Sequence, residues 1–401
     1  MAREHHIPSC KVKLDGTELA LEKAARLTRV EVDLGVDLFG SCALVFNDPQ
    51  MELMNGTDFS SGARIEVSLG FASKLSPVFD GEIVALEPAF RRDQPPALRV
   101  VCFESLHRLG LSQATRSFND VDTADAATQI GQEHGLTAEG PAGTKEHFLQ
   151  GNLTDAAFLK RLAAKAGQHL RIDGKKIIIS APPSAAPIEL APGDQILKMK
   201  VKVSTESQVE SVSVHGWDPK AKAEIVGTAS GEGDIGEGAR TYGNGKTLSV
   251  EGMHTPADQS TAETMAKGRM RKLAEGFVTA EAQVTGDPRL LPGIAVTCSK
   301  LGEQLDGTYR IEKAQHVFSK FGYRVNFNAV RTAKKANADA VKNEKLQQQV
   351  AETPAGEVAD GDERLKPTAK KQAALLVEAA KDGMPLVEEC PSASSTMSEV
   401  A

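Results

Sequence analysis

The chain has 401 residues, of which 40% are hydrophobic and 25% charged, as in an ordinary globular protein. Its net charge is -7 and it has no strongly basic run, which argues against a nucleic-acid-binding protein. Aromatic residues make up only 4%, and none follows Phe327. We therefore expect a folded body of about 330 residues and a tail of about 70 residues without a core.

The five cysteines are an odd number and are spread along the chain, which indicates neither a disulfide framework nor a zinc site. No apolar run approaches the ~20 residues that cross a bilayer, and no apolar signal core follows the first residues. We expect free thiols, no membrane insertion and no signal peptide.

The first block, residues 1–112, is predicted to be made of strands. In residues 64–69 polar and apolar side chains alternate, which is the period of a half-buried strand. Asp80-Gly81 predicts a turn or a bulge at the start of a later strand. Short strands separated by Gly and Pro are typical of a β-sandwich or a small barrel. The predicted strands cover residues 28–34, 41–47, 64–69, 78–86 and 97–106.

The middle block, residues 113–180, combines helices with strands. A helix is predicted over 123–134 with Thr123 as its N-cap, and a second over 156–166. In the second helix Phe158, Leu159, Leu162 and Ala166 form one apolar face. Asp173-Gly174 then lies between two short apolar runs and predicts a hairpin. The block is predicted to be a small α/β domain.

The third block, residues 181–332, returns to strands after a Pro-rich linker at 181–187. One long helix is predicted over 256–274, with Pro256 near its first turn. The predicted strands cover residues 208–217, 277–284, 294–298, 307–314 and 322–330.

The first and third blocks share a weak pattern. Gly62 precedes a strand that leads to Asp80-Gly81, and Gly293 precedes a strand that leads to Asp306-Gly307. Both an internal duplication and a chance match of Asp-Gly pairs fit this pattern. A true duplication in a trimer would give six similar units around one axis.

The tail, residues 333–401, is polar and is expected to be largely disordered. Residues 371–387 are amphipathic, with a short helix candidate over 371–382. They fit either a nascent helix in a disordered tail or a peptide that docks on a partner. The candidate docking residues are Leu375, Leu376, Val377, Pro385 and Leu386.

Motifs for chemistry are weak. The glycines at 231, 233 and 236 match a dinucleotide-binding pattern, but Glu232 and Asp234 would repel a pyrophosphate. The histidines form no metal-binding pair on a predicted element, and no Gly-x-Ser-x-Gly motif is present. We therefore expect no cofactor, no metal, no catalytic residues and no enzymatic activity.

Three segments in order resemble a known family. The first runs from Gln150 through Asn152, Asp155 and 158–163 to Gly167. The second is the GDPRLLPG segment at 286–293. The third is the DGTYRI segment at 306–311, with His316 and Gly322-Tyr323 after it. Together they resemble the phage late control D protein family and the hub portion of VgrG-type spikes.

The resemblance implies a structural baseplate hub of a contractile phage tail or a phage-tail-like injection system. It implies an α+β, mainly β chain with two tube-like antiparallel β-barrel domains, at 1–112 and 181–332, around the small α/β domain at 113–180. Such a hub would be a homotrimer that adapts the sixfold inner tube to a threefold spike. Its partners would be the inner tube protein, a separate spike or needle-tip protein, other baseplate components and a cargo effector.

The chain departs from VgrG-type proteins because no short needle repeats follow Arg331. The spike is therefore expected on a separate chain. The resemblance implies a cytoplasmic protein during assembly that later joins a virion or an extracellular particle. The alternatives are a tail-associated cell-wall hydrolase and a type VI secretion spike component. A carbohydrate-binding β protein is disfavoured, because the chain has one Trp and three Tyr.

Overall fold

A computed structural model describes residues 7–181, 183, 185–218, 221–231, 241–250, 256, 258–302 and 304–332. Most described elements are strands in antiparallel sheets, so the predicted mainly β fold is confirmed. No described helix is long and apolar enough to span a membrane.

The first block consists of strands with short helical turns between them. Residues 41–47, predicted as a strand, form β4 with the same bounds. The strands are β1 (Pro8–Leu14), β2 (Thr17–Glu18), β3 (Leu27–Gly35), β4 (Ser41–Asn47), β5 (Arg64–Phe71), β6 (Lys74–Arg91) and β7 (Gln94–Phe103). The helices are α1 (Leu21–Ala24), α2 (Glu52–Asn55) and a 3-10 helix at Ser105–Gly110.

The middle block has two small sheets and two helices. β8 pairs with β10, and β11 pairs with β12, which also pairs in parallel with β9. The predicted apolar residues Phe158, Leu159 and Leu162 are buried in its core. The elements are β8 (Gln113–Val121), α3 (Thr123–Glu133), β9 (Thr137–Glu139), β10 (Glu146–Thr154), α4 (Asp155–Lys165), β11 (His169–Asp173) and β12 (Lys176–Ser180).

The helix starts follow local capping chemistry. Asp122, rather than the predicted Thr123, is the N-cap of α3, and it forms a reciprocal capping box with Asp125. Thr154 caps α4 by accepting a hydrogen bond from the N–H of Ala157. Each side chain satisfies a backbone N–H that has no partner within the helix.

The described part of the third block contains nine strands and one long helix. They are β13 (Ile188–Leu190), β14 (Ile196–Val203), β15 (Ser211–Asp218), β16 (Ala223–Ser230), β17 (Thr247–Val250), α5 (Gln259–Glu275), β18 (Val278–Thr285), β19 (Ala295–Cys298), β20 (Gly307–Ser319) and β21 (Gly322–Arg331). Pro256 lies outside the helix that it was predicted to open, because Asp258 is the N-cap. β15, β16 and β17 form a separate sheet against α5.

Thirteen described strands from the first and third blocks form one sheet. Its main path is β14-β18-β21-β20-β3-β4-β7-β6-β5-β1-β2, with β19 on β20 and β13 on β19. The two blocks meet where β20 pairs antiparallel with β3. One hydrophobic core, which includes Val32, Phe46, Val325 and Phe327, serves both blocks.

The same strand order occurs twice in this sheet. The first repeat, β3-β4-β7-β6-β5, corresponds to the second, β14-β18-β21-β20-β19. In each repeat the last three strands in sequence form an antiparallel meander. The structure therefore contains an internal repeat of five strands.

The repeat extends to individual hydrogen bonds. The N–H of Gly62 donates to the carbonyl of Ile83 at 2.8 Å, and the N–H of Gly293 donates to that of Ile311 at 2.8 Å. Both glycines have a φ of 86°. The register between the next two strands shifts directly after Ile83 and directly after Ile311. A shared bulge at the same place supports a common origin for the two repeats.

The predicted role of Asp80-Gly81 was wrong. These residues lie inside β6 and make no turn. Their counterparts in β20 are Thr308 and Tyr309, two residues beyond the Asp306-Gly307 pair that was matched to them. A side chain at Gly81 would lie 2.3 Å from the carbonyl oxygen of Phe103, so the glycine permits a close backbone approach.

Candidate functional site

The docking residues predicted in the tail lie outside the described residues, as does most of the Gly-rich segment at 231–245. The described part of the chain offers other candidates. They are the polar face of the large sheet, and polar clusters around His316, Asp155 and Glu82.

A row of polar side chains crosses the boundary between the two repeats. Gln283 Nε2 donates to Asn326 Oδ1 at 2.9 Å, and Asn326 Nδ2 donates to Gln315 Oε1 at 2.9 Å. Gln315 also hydrogen-bonds the side chain of Asp33. These residues lie side by side on β18, β21, β20 and β3. The row therefore links the two repeats on the face away from the core.

Charged residues extend this face toward one edge of the sheet. On β14, Lys198 lies opposite Gln283 and Lys200 lies opposite Glu281 of β18. The neighbouring Met199 and Val201 instead pack against the core. Alternation of this kind leaves one face of the sheet polar, as expected for a surface in contact with water.

Asp33 is the carboxylate of this row. Burial raises its pKa, the nearby charge of Glu31 adds to this, and the hydrogen bond from Gln315 only partly offsets both. Neither Gln315 nor Glu31 carries a positive charge, so burial remains the main cause of the raised pKa of Asp33.

His316, part of the third resemblance segment, has a structural position. It is fully buried, its Nδ1 accepts from the hydroxyl of Tyr323 at 2.7 Å, and its Nε2 donates to the carbonyl of Leu290 at 3.1 Å. Burial lowers its pKa to about 4, which keeps the ring neutral. A side chain at Gly286 would lie 2.1 Å from the Tyr323 ring. The hydrogen bonds of His316 and the close packing of Gly286 against Tyr323 thus hold the 286–293 connection against the β20–β21 hairpin.

The first resemblance segment builds a buried polar cluster. Gln150 Nε2 donates to Asp155 Oδ1 at 2.8 Å, and Arg116 Nη2 donates to the same oxygen at 2.7 Å. His134 Nε2 lies 2.8 Å from Asp155 Oδ2. Burial raises the pKa of Asp155, but the bonds from Gln150 and His134 and the charge of Arg116 outweigh it, so the pKa lies below its ordinary value.

Sequence reasoning found only half of this cluster. Gln150 and Asp155 stand in the quoted motif, whereas Arg116 and His134 come from β8 and the end of α3. Nothing in the local sequence of those two residues indicates their shared partner. The cluster joins β8, β10, α3 and α4 around one carboxylate.

The same cluster resembles a metal site in its donor atoms. Glu133, His134 and Asp155 each offer one ligand atom, all within 4.8 Å of one another. However, Arg116 Nη1 lies 2.6 Å from Glu133 Oε2, and its Nη2 binds Asp155. A fixed guanidinium supplies the positive charge that a cation would bring, so the residues fit an ion-pair network better than a metal.

A shallow groove of about 550 Å³ is lined by Gly62, Glu82, His107, Arg108, His134 and neighbouring residues. Arg108 Nε donates to Glu82 Oε1 at 2.7 Å. This hydrogen bond is the main reason that the pKa of Glu82 lies below its ordinary value. An ionised carboxylate has no proton to donate, whereas a glycosidase acid needs a raised pKa.

The fold is similar to those of solved phage tail and type VI secretion proteins. The 43 kDa tail protein of prophage MuSo2 from Shewanella oneidensis has a TM-score of 0.62 at 14% identity, over 81% of this chain and 98% of that chain. The tail protein from Neisseria meningitidis MC58 has a TM-score of 0.59 at 15% identity, over 81% and 97%. The E. coli c3393 protein, a type VI secretion system component, has 0.54 at 12%, over 81% and 78%.

A family model named Alg8 N-terminal domain matches residues 4–320. The chain belongs to the Alg8 N-terminal domain family. No curated protein matches the sequence. The narrower resemblance to late control D proteins stays a prediction.

Proposed function

We propose that this chain is a structural baseplate hub of a contractile phage tail or a phage-tail-like injection system. The observation that carries the proposal is the five-stranded unit that occurs twice, with the same strand order and the same bulge. The shared fold with phage tail proteins supports it.

The proposed role is symmetry adaptation. With two repeats per chain, a homotrimer presents six similar units around one axis. A sixfold tube can then contact six similar surfaces, while the rest of each chain keeps threefold symmetry for a spike. In this proposal each repeat belongs to a tube-like barrel domain, at 1–112 and 181–332, and residues 113–180 form a separate small domain.

The proposed partners are the inner tube protein, a separate spike or needle-tip protein and other baseplate components. The tail residues 333–401 are proposed as a linker with a docking peptide for the spike or a cargo effector. The protein would be cytoplasmic during assembly and would then join a virion or an extracellular particle.

Co-expression with the tube and spike chains of the same gene cluster tests the proposal. We expect native mass spectrometry to show a trimer of the 42.7 kDa chain that binds both partners. A chain that stays monomeric and captures neither partner would overturn it.

The likeness to the E. coli c3393 protein favours a second assignment, a type VI secretion spike component. The two assignments share the hub role and differ in the machine. Purification of contractile particles from the culture medium would favour the phage-like machine. Retention of the chain in cells, with secretion of effectors that depends on it, would favour the type VI assignment.

A further inference from the structure

The pairing of β20 with β3 joins the two repeats within one chain. Residues 313–319 of β20 lie antiparallel to residues 29–35 of β3, with Gln315 opposite Asp33 and Phe318 opposite Val30. We call this pairing the internal seam. It continues the sheet from one repeat into the next through backbone hydrogen bonds.

The repeat places two other strands in the positions of the seam strands. β14 corresponds to β3, with Met199 and Val201 at the places of Val30 and Val32. Residues 85–91 of β6 correspond to residues 313–319 of β20, because both segments follow the shared bulge.

These two counterparts lack the partner that the internal seam provides. Among the described strands, β14 pairs only with β18, and residues 85–91 pair only with β7. Each therefore presents one open backbone edge, and an open edge can pair with another chain. Since the two edges lie on different repeats of one sheet, they suit a head-to-tail contact between copies.

We propose that β14 of one copy pairs antiparallel with residues 85–91 of β6 in the next copy, and so repeats the internal seam between chains. The inference rests on the proposed function only in assuming that the chain assembles with itself. The register follows from the internal seam: Lys202 lies opposite Glu87, Val201 opposite Pro88, and Met199 opposite Phe90 of the neighbouring copy.

The side chains suit this register. Lys202 and Glu87 carry opposite charges and take the places of Asp33 and Gln315. Phe90 is 62% exposed in the single chain, and it takes the place of Phe318, which packs against the core. Contact with Met199 of another copy would cover this exposed aromatic ring. Removing the apolar surface of a ring from water would stabilise the contact between the copies.

Two positions make the contact weaker than the internal seam. Pro88 takes the place of His316 and has no N–H to donate to a neighbouring strand. Lys198 faces Arg91, a repulsive pair, at the hairpin end where the register of β6 and β7 shifts. Pro88 also limits pairing with unrelated strands, as expected at an edge that is exposed before assembly.

A cysteine pair tests the register. In the K202C/E87C double variant, mild oxidation should link chains into covalent dimers and higher species on a non-reducing gel, since directly paired Cβ atoms lie about 5 Å apart. The V201C/E87C variant is the matched control, because adjacent residues of a strand point to opposite faces. Because its two Cβ atoms point to opposite faces of the sheet, this control should cross-link roughly tenfold less efficiently.

Phe90→Asp tests the same contact without covalent cross-linking. It should weaken self-association roughly tenfold or more, as loss of a buried aromatic anchor does. Phe321→Asp is the control, since Phe321 is 73% exposed at the β20–β21 hairpin, which has no role in the proposed contact. Circular dichroism of both variants verifies that the fold is retained.

The outcomes separate this inference from the proposed function. Native trimers that cross-link through K202C/E87C support both. Native trimers that do not cross-link, and that tolerate Phe90→Asp, overturn the inter-chain seam and leave the hub proposal standing. A chain that is monomeric in the presence of the tube and spike proteins overturns both.

Discussion

Arg116 and Asp155 form a partly buried ion pair in which Nη2 and Oδ1 lie 2.7 Å apart. The Asp155 side chain is only 6% exposed, and it also receives hydrogen bonds from Gln150 and His134. One carboxylate thus connects four elements of the middle block. The residues of the sequence motif therefore have a structural explanation.

We expect Asp155→Asn to destabilise this block by about 2 kcal/mol, because the neutral amide loses the charge-assisted hydrogen bond from Arg116, which keeps its pair with Glu133. Hydrogen exchange should rise in β10 and α4, where the cluster is anchored. Glu52→Gln is the control, since Glu52 pairs with Arg26 at the surface and its loss should change little. Equal protection of β10 in Asp155→Asn and the parent chain would contradict the prediction.

Glu104 should make stability depend on pH. Burial raises its pKa to about 7, although the N–H of Gly40 donates to it at 2.5 Å. Because the folded state holds the proton more tightly than the unfolded chain, stability should fall as pH rises from about 4.5 to about 7. Glu104→Gln should remove this loss and be more stable at pH 8 by on the order of 2 kcal/mol. Melting temperatures at pH 5 and pH 8 measure it, and parallel pH curves would refute it.

His316 should make stability change with pH in the direction opposite to that of Glu104. Its pKa is lowered to about 4 by burial, so the folded state holds its proton less tightly than the unfolded chain. Its contribution to stability should be present above about pH 6.5 and be lost as pH falls toward 4. His316→Ala should therefore cost more at pH 7 than at pH 4.5. Phe46→Leu, at a buried core residue that does not titrate, is the control and should cost the same at both pH values.

Gly62 and Gly293, which occupy equivalent positions in the two repeats, should lose similar amounts of stability when either is replaced by alanine. Gly62→Ala and Gly293→Ala force a side chain onto a φ of 86°, which should cost about 1 kcal/mol at each site. Gly151→Ala is the control, because Gly151 has no left-handed φ and no atom within 4 Å of a new Cβ. Thermal unfolding compares the three. A large difference between the first two would argue against their structural equivalence.

Much of the secondary structure could be predicted because its causes are local. The apolar stripe of α4 and the turn at Asp173-Gly174 depend on neighbours a few residues away. Asp80-Gly81 has the same two letters as Asp173-Gly174, yet it lies within a strand. The difference is the Phe103 carbonyl that approaches Gly81 from β7, a contact that no local pattern encodes.

The sequence by itself determined the strand-rich blocks, the small α/β block and the faint repeat that begins at Gly62 and Gly293. Only the tertiary structure decided that both repeats share one sheet, joined by β3 and β20. Strand partners are chosen by backbone hydrogen bonds, which are nearly the same for every residue type, and by packing between residues far apart in sequence. For the same reason, the local sequence did not indicate that Arg116 pairs with Asp155. It also did not indicate that β14 and β6 have open edges.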